Sequence, residues 1–164
     1  MKYQLTLYML NRAIHNKKAN YLIKIINSLD THIVRHPVLR KGKPIESCIF
    51  SGDDLDTTIH LGLFLNKKLI GVCTFLKRNH NLLSVTPQFQ LRGMAILEGF
   101  QDNGFGNIIL NYGESLLKKE NTKIVWCNAR KVAVNFYKKN GYQTIGEPFN
   151  IENIGLHYIM YKTL

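Results

Sequence analysis

The stretch QDNGFG, Gln101–Gly106, sets two glycines one residue apart. An apolar run, FQLRGMAIL (89–97), precedes it, and a second run with helical spacing follows. A strand that turns sharply into a helix leaves several backbone N–H groups without intrahelical acceptors, and the aligned peptide dipoles add partial positive charge there. Such a terminus binds phosphate readily. Gly104 and Gly106 remove side chains that would hold a phosphate off the backbone, and Gln101 adds a side-chain donor at the mouth. Taken alone, the pattern equally describes an ordinary strand-to-helix turn. It is neither a GxxxxGK loop nor the GxGxxG dinucleotide fingerprint, because only one glycine pair is present.

The flanks supply the elements. After the bend, Phe105, Ile108, Ile109, Tyr112 and Leu116 fall on one helical face. Before it, TTIHLGLFL (57–65) and LIGVCTFLKRN (69–79) are β-rich and separated by NKK, which predicts a hairpin. FQLRGMAIL reads as a strand, and Gly93 inside it marks a bulge or a close backbone approach. Downstream, TKIVWCNA (122–129) is a short buried strand. RKVAVNFYKKNG (130–141) is a helix stopped by Gly141. YQTIGEPFNI (142–151) and GLHYIMYKTL (155–164) are two closing strands.

Toward the N-terminus, MKYQLTLYML reads as a first strand, with no cleavage site to suggest a signal peptide. Ala13–Ile45 is mixed and helical, with ANYLIKIINSLD (19–30) as its clearest apolar face. SGDDLD (51–56) reads as a solvated loop, since the calcium-loop template is not met. The order is strand, helices, three strands, helix, strand, helix, two strands. This is an α+β fold with a mixed sheet.

The chain has 164 residues, 45% hydrophobic and 20% charged, which fits one globular domain spanning 1–164. No apolar run reaches the ~18 residues of a membrane span. Cys48, Cys73 and Cys127 form no CxxC pair, so reduced thiols in a cytoplasm are expected. The formal net charge of +11 attracts anions. Its lysines are scattered in pairs without interleaved aromatics, so nucleic acid is not the expected main partner.

LRGMAILEGFQDNGFG (91–106) resembles motif A of the GNAT superfamily of N-acetyltransferases, a strand followed by Q/R-x-x-G-x-G/A and a helix. Gln101, Gly104 and Gly106 match it position for position. WCNARKVAVNFYKKNGY (126–142) is similar to the family's second hallmark, A-x-x-[FLY]-Y-x-K-x-G-[FY]. Ala133, Phe136, Tyr137, Lys139, Gly141 and Tyr142 fill that pattern. GEPFNIENIGLHYIMYK (146–162) resembles the last two strands of many small members. The resemblance covers Thr57 to the C-terminus.

The resemblance implies a small single-domain member. Its sheet is mixed and mostly antiparallel, of about six to seven strands, with strands 4 and 5 splayed. It implies acetyl-CoA as cosubstrate, no metal, and an amine-bearing small molecule or peptide as acceptor. The amides of Gln101, Asp102, Asn103, Gly104, Phe105 and Gly106 would take the pyrophosphate, and the pantetheine would lie along Met94, Ala95 and Ile96. A backbone N–H near Met94 would face the developing oxyanion. Tyr137 stands where the family places the acid for the departing thiolate, and Phe136 would face the core. Asn128, in a CNAR variant of the motif, either meets cofactor or caps the following helix. Arg130 would reach a phosphate or the substrate.

Other readings stay open. Glu98 is either a base acting through water or a solvated turn residue. His60 and His157 are each a base or a structural donor. Arg35 and Arg40, in VRHPVLRKGKP (34–44), would meet an acidic acceptor or face water, and water is the expectation. A membrane is not an expected partner, and a homodimer is left open. The alternative function is a non-catalytic module on the same fold that binds CoA or nucleic acid.

Overall fold

A computed structural model of the chain describes residues 14–16 and 21–164. The strand expected at MKYQLTLYML lies outside the described residues. The chain divides into two compact units. The first runs to Leu76 and includes Gly93–Gly113; the second comprises Lys77–Arg92 and Glu114–Leu164.

In the first unit, β1 (Ile14–Asn16), β2 (Tyr21–Ile25), β3 (Ile59–Leu65) and β4 (Lys68–Lys77) lie in that order, with the last part of β5 (Gln88–Ile96) next to β4. The β1–β2, β2–β3 and β3–β4 pairs are antiparallel. Asn66 and Lys67 have φ of 49° and 69°, the two left-handed residues that a two-residue hairpin turn of matching twist demands. The expected NKK hairpin therefore forms. Tyr21–Ile25 corrects the helical expectation for this segment. YLIKI is a strand, paired from Tyr21↔Leu65 to Ile25↔Leu61. Five apolar-rich residues carry too little period to separate strand from helix, and the partner strand decides.

Helix α1 (His32–Leu39) follows a 3₁₀ turn at Leu29–Thr31. Its inward positions are Thr31, Val34, Arg35 and Val38, at i, i+3, i+4 and i+7. Val34 joins Leu69, Val72 and Ala95 in a core ringed by Ile26, Val38, Leu39, Phe64 and Leu97.

In the second unit, the first part of β5 runs parallel to β6 (Ile124–Arg130) from Gln88↔Ile124 to Leu91↔Cys127. That ladder ends at Leu91, although β5 continues to Ile96 and β6 to Arg130. A parallel pair needs a long crossover, and α2 (Phe105–Lys119) lies in that connection. β8 (Gly155–Thr163) pairs antiparallel with β6, and β7 (Gln143–Ile151) with β8. Leu83, Ile124 and Trp126 form this unit's core, with Ile145, Ile159 and Tyr161 packed on it. Trp126 Nε1 donates to the Arg78 carbonyl at 2.8 Å.

Helix α3 (Val134–Lys139) follows a 3₁₀ turn at Lys131–Ala133. It stops at Gly141, whose φ is 85°, and the Tyr142 N–H donates back to the Tyr137 carbonyl at 3.0 Å. This is the glycine-ended helix expected from KKNG. The result is the mixed, mostly antiparallel α+β architecture anticipated. Among the described residues it has seven strands of five residues or more, besides the three-residue β1. No helix among them is long and apolar enough to cross a membrane.

Tyr142 lies buried under α3, and its hydroxyl donates to Glu114 Oε1 at 2.8 Å. Lys162 Nζ meets the other carboxylate oxygen at 2.5 Å. Burial first, and the Glu114 charge second, push the Tyr142 phenol well above its ordinary range. Tyr142→Phe should lower urea stability by about 1–2 kcal/mol through the lost hydrogen bond to a carboxylate. The phenol stays neutral in the fold but ionises near ~10 in the unfolded chain. Its contribution is therefore complete below that pH and declines as pH climbs past it. Alkaline titration of unfolding should show a smaller decline in Tyr142→Phe.

All three cysteines are free and buried. Burial pushes the thiols of Cys127 and Cys48 up, against a downward pull on Cys48 from Arg40 and Arg35. Only the thiolate reacts readily. Ellman's reagent at pH 8 should leave the native protein untouched over minutes and titrate every thiol after guanidinium unfolding.

Candidate active site

In the first unit the candidate residues are nearly consecutive. The Leu97 N–H donates to the Ile70 carbonyl at 2.8 Å, tying the end of β5 to β4. A 3₁₀ turn over Glu98–Phe100 follows, then the bend Gln101–Gly104, then α2. Asp102 and Gly104 are left-handed, with φ of 60° and 77°. The Ile108 N–H donates to the Gly104 carbonyl at 3.1 Å, so the helix ladder starts from Gly104. Helix geometry then leaves the first-turn amides without acceptors inside the helix.

The side chains of the bend turn back on its own backbone. Gln101 Nε2 donates to the Ile96 carbonyl at 2.9 Å, and Asn103 Nδ2 to the Gln101 carbonyl at 2.7 Å. Gln101 thus fastens the two ends of the turn with one of its two amide protons. Gln101, Asp102, Asn103 and Gly104 are exposed, while Phe105 and Gly106 are half-buried. A Cβ built on Gly104 would meet nothing within 4 Å. The bend is open and presents main chain. Met94 and Ile96 are half-buried, Ala95 is buried in the α1 core, and Glu98 is exposed on its turn.

Behind β5 lies a polar cluster that sequence reasoning missed. Arg35, expected in water, has 0% exposure. Its Nη1 meets Asp53 Oδ2 at 2.5 Å and donates to the Cys48 carbonyl at 3.0 Å, and its Nη2 donates to Thr74 Oγ1 at 2.7 Å. Its guanidinium carbon stands 4.4 Å from the Phe50 ring centroid. Asp53 therefore corrects the solvated-loop reading of SGDDLD. Its carboxylate also accepts the Phe50 N–H at 3.2 Å.

His60 closes the cluster, with Nε2 at 2.8 Å from the Asp53 carbonyl and Nδ1 at 2.7 Å from Thr74 Oγ1. A carbonyl only accepts, so Nε2 carries the proton, and a neutral ring accepts the Thr74 hydroxyl at Nδ1. With both nitrogens engaged and buried, His60 is a structural residue. Burial first, and then the Arg35 charge, hold the nearby His32 imidazole below its usual range. The visible signal was spacing, because Arg35 shares the inward stripe of Thr31, Val34 and Val38.

In the second unit, Asn128 is exposed in β6 opposite Ile159, and Arg130 is half-buried opposite His157. The residues before the 3₁₀ turn and α3 are Arg130 and Ala133, and neither caps with its side chain. Asn128 is therefore a strand residue and caps nothing. Tyr137 is buried and packs edge-on against Phe136 and Tyr142, at centroid distances of 5.2 and 5.3 Å. Phe136 is only half-buried. This reverses the expectation that Phe136 takes the inward position. The chain reverses at Gly141 and brings Tyr142 against Tyr137, so the second aromatic of the pair turns in. His157 is buried with Nδ1 at 2.7 Å from the Gly155 carbonyl, beside the Phe149 ring.

Residues 27–142 match the model of the Acetyltransferase (GNAT) family. A curated relative, an uncharacterized N-acetyltransferase, YitI, of Bacillus subtilis, is 39% identical over 142 residues, covering 87% of this chain and 95% of its own. Among solved structures, an N-acetyltransferase from Lactobacillus plantarum superposes with a TM-score of 0.69 at 18% identity, covering 87% of this chain and 98% of its own. The PaiA N-acetyltransferase of Thermoplasma acidophilum, solved in complex with coenzyme A, gives a TM-score of 0.62 at 17% identity, covering 88% of this chain and 99% of its own. An open amide bend between β5 and α2, the parallel β5–β6 pair and the α3 motif accompany a family match across most of the chain. The chain belongs to the acetyltransferase (GNAT) family, whose reaction moves an acetyl group onto an amine.

Proposed function

We propose that residues 1–164 act as one cytoplasmic acetyltransferase domain that takes its acetyl group from acetyl-CoA. The observation carrying this reading is the bend at Gln101–Gly106, where exposed main chain and a left-handed Gly104 precede a 15-residue helix. Amides there, from Gln101 through Asp102, Asn103, Gly104, Phe105 and Gly106, hold the pyrophosphate, aided by the helix dipole. The pantetheine pairs along Met94, Ala95 and Ile96 as an added strand would. Asn128 contributes a polar contact to the carrier, and a main-chain N–H near Met94 faces the thioester oxygen as charge develops on it.

Tyr137 protonates the departing thiolate, since a phenol and a thiol have comparable basicity. Glu98 relays the proton of the incoming amine through water, which its exposed turn allows. The acceptor is an amine on a small molecule or peptide. The net charge of +11 favours approach of the anionic carrier.

Calorimetric titration with acetyl-CoA tests the reading directly. Absence of binding at high micromolar concentrations would overturn it, and an activity screen across polyamines, aminoglycosides and peptides would then identify the acceptor of a binding-competent protein. Gly104→Val should weaken acetyl-CoA binding about ten- to a hundredfold, the loss of one or two charge-assisted hydrogen bonds. Retained affinity would remove the bend from the carrier site. Tyr137→Phe should lower turnover by roughly a hundredfold while the acetyl-CoA Kd moves by less than about threefold. Undiminished turnover would take Tyr137 out of the acid role.

A further inference from the structure

The Arg35 cluster has an orientation as well as a location. The guanidinium turns its Nη1 corner to Asp53 and the Cys48 carbonyl. The rest of the group lies against Gly93 of β5. A Cβ placed on Gly93 would lie 2.6 Å from Nε, 2.9 Å from the guanidinium carbon and 2.9 Å from Nη2. Nη2 donates to Thr74, whereas Nε is buried and has no hydrogen-bond partner among the described residues. The ion pair thus sets its cation, rather than its carboxylate, in contact with Gly93 of β5. Gly93 is left-handed, with φ of 56°, and a side chain there would collide with the cation. The next three residues, Met94, Ala95 and Ile96, form the segment along which the acetyl carrier is proposed to lie.

We propose that Arg35 is a positioning residue for acetyl transfer, holding β5 in its turn at Gly93 and directing a buried positive field onto the thioester carbonyl docked beside it. This rests on the reading of β5 as the acetyl carrier's strand. Preorganised charge in a water-poor site strengthens as negative charge develops on the carbonyl oxygen, and needs no reorganisation at that moment. Asp53 keeps the cation affordable in the interior, since an unpaired buried charge is strongly destabilising. Thr74 and His60 hold the plane of the guanidinium from the adjoining strands. Glycine at 93 lets the edge come close enough for its field to pass through main chain alone.

The test reads the field and needs no acceptor. Isotope-edited infrared spectroscopy of acetyl-CoA carrying a ¹³C carbonyl reports the polarisation of the bound thioester. In the wild-type protein the carbonyl stretch should fall below that of free acetyl-CoA. In Arg35→Met/Asp53→Asn, which removes both charges together, it should return most of the way to the free value, with the acetyl-CoA Kd changed by less than about threefold because the pyrophosphate grip is intact. A band that stays at the wild-type bound frequency in the folded double variant overturns the proposal.

If near-UV circular dichroism shows that the double variant does not fold, Arg35→Lys keeps a cation for Asp53 but offers β5 no planar edge. Its carbonyl stretch should move the same way, and a wild-type value there overturns the proposal. A wild-type protein that binds acetyl-CoA without displacing the carbonyl band overturns it outright. A wild-type protein that does not bind acetyl-CoA overturns the acetyl-CoA reading and this inference with it.

Discussion

A guanidinium withdrawn from water must find partners for its charge, and Arg35 finds them at Cys48, Asp53 and Thr74, with His60 bonded to the last two in turn. α1 delivers the side chain, the loop after the second 3₁₀ turn (Ile45–Cys48) brings Asp53, and β3 and β4 bring His60 and Thr74. Arg35 Nε apart, the members satisfy one another, so none can be lost without stranding a further polar group in the interior. A network of this kind contributes little net stability over an apolar core, yet it admits one arrangement only. In the first unit it determines how α1 lies against β4 and β5, and hence which surface of β5 the core leaves uncovered.

The second constraint is local to the backbone. β5 pairs in parallel with β6 for four residues, passes through a left-handed glycine, and ends where the Leu97 N–H is caught by Ile70. Gln101 then reaches back to the Ile96 carbonyl and tightens the loop so that α2 begins with its amides outward. Three features that look separate in the chain, a strand glycine, a glutamine and a glycine pair, are successive parts of one turn.

Much of this was legible in the residues. The β3–β4 hairpin, α2 and the glycine stop of α3 carry their own local signals, a turn dipeptide, a helical period and a left-handed C′ residue. The bend at Gln101–Gly106 was legible as a place, although the bond from Gln101 back to Ile96 was not. YLIKI was misread because five residues do not reveal their period until β3 lies beside them. Arg35 and Asp53 were assigned to water because composition treats charge as surface, and their pairing across 18 positions is a tertiary fact. Phe136 and Tyr137 were exchanged for a similar reason. Which ring turns in depends on Tyr142 folding back beneath the helix, and the motif does not encode that.

The interleaving of the two units has a practical corollary for anyone handling the gene. Each unit is assembled from two stretches of polypeptide, so the chain passes from one to the other at 76/77, 92/93 and 113/114. No single internal cut releases either of them whole. A premature stop codon in the middle of the sequence removes residues from both.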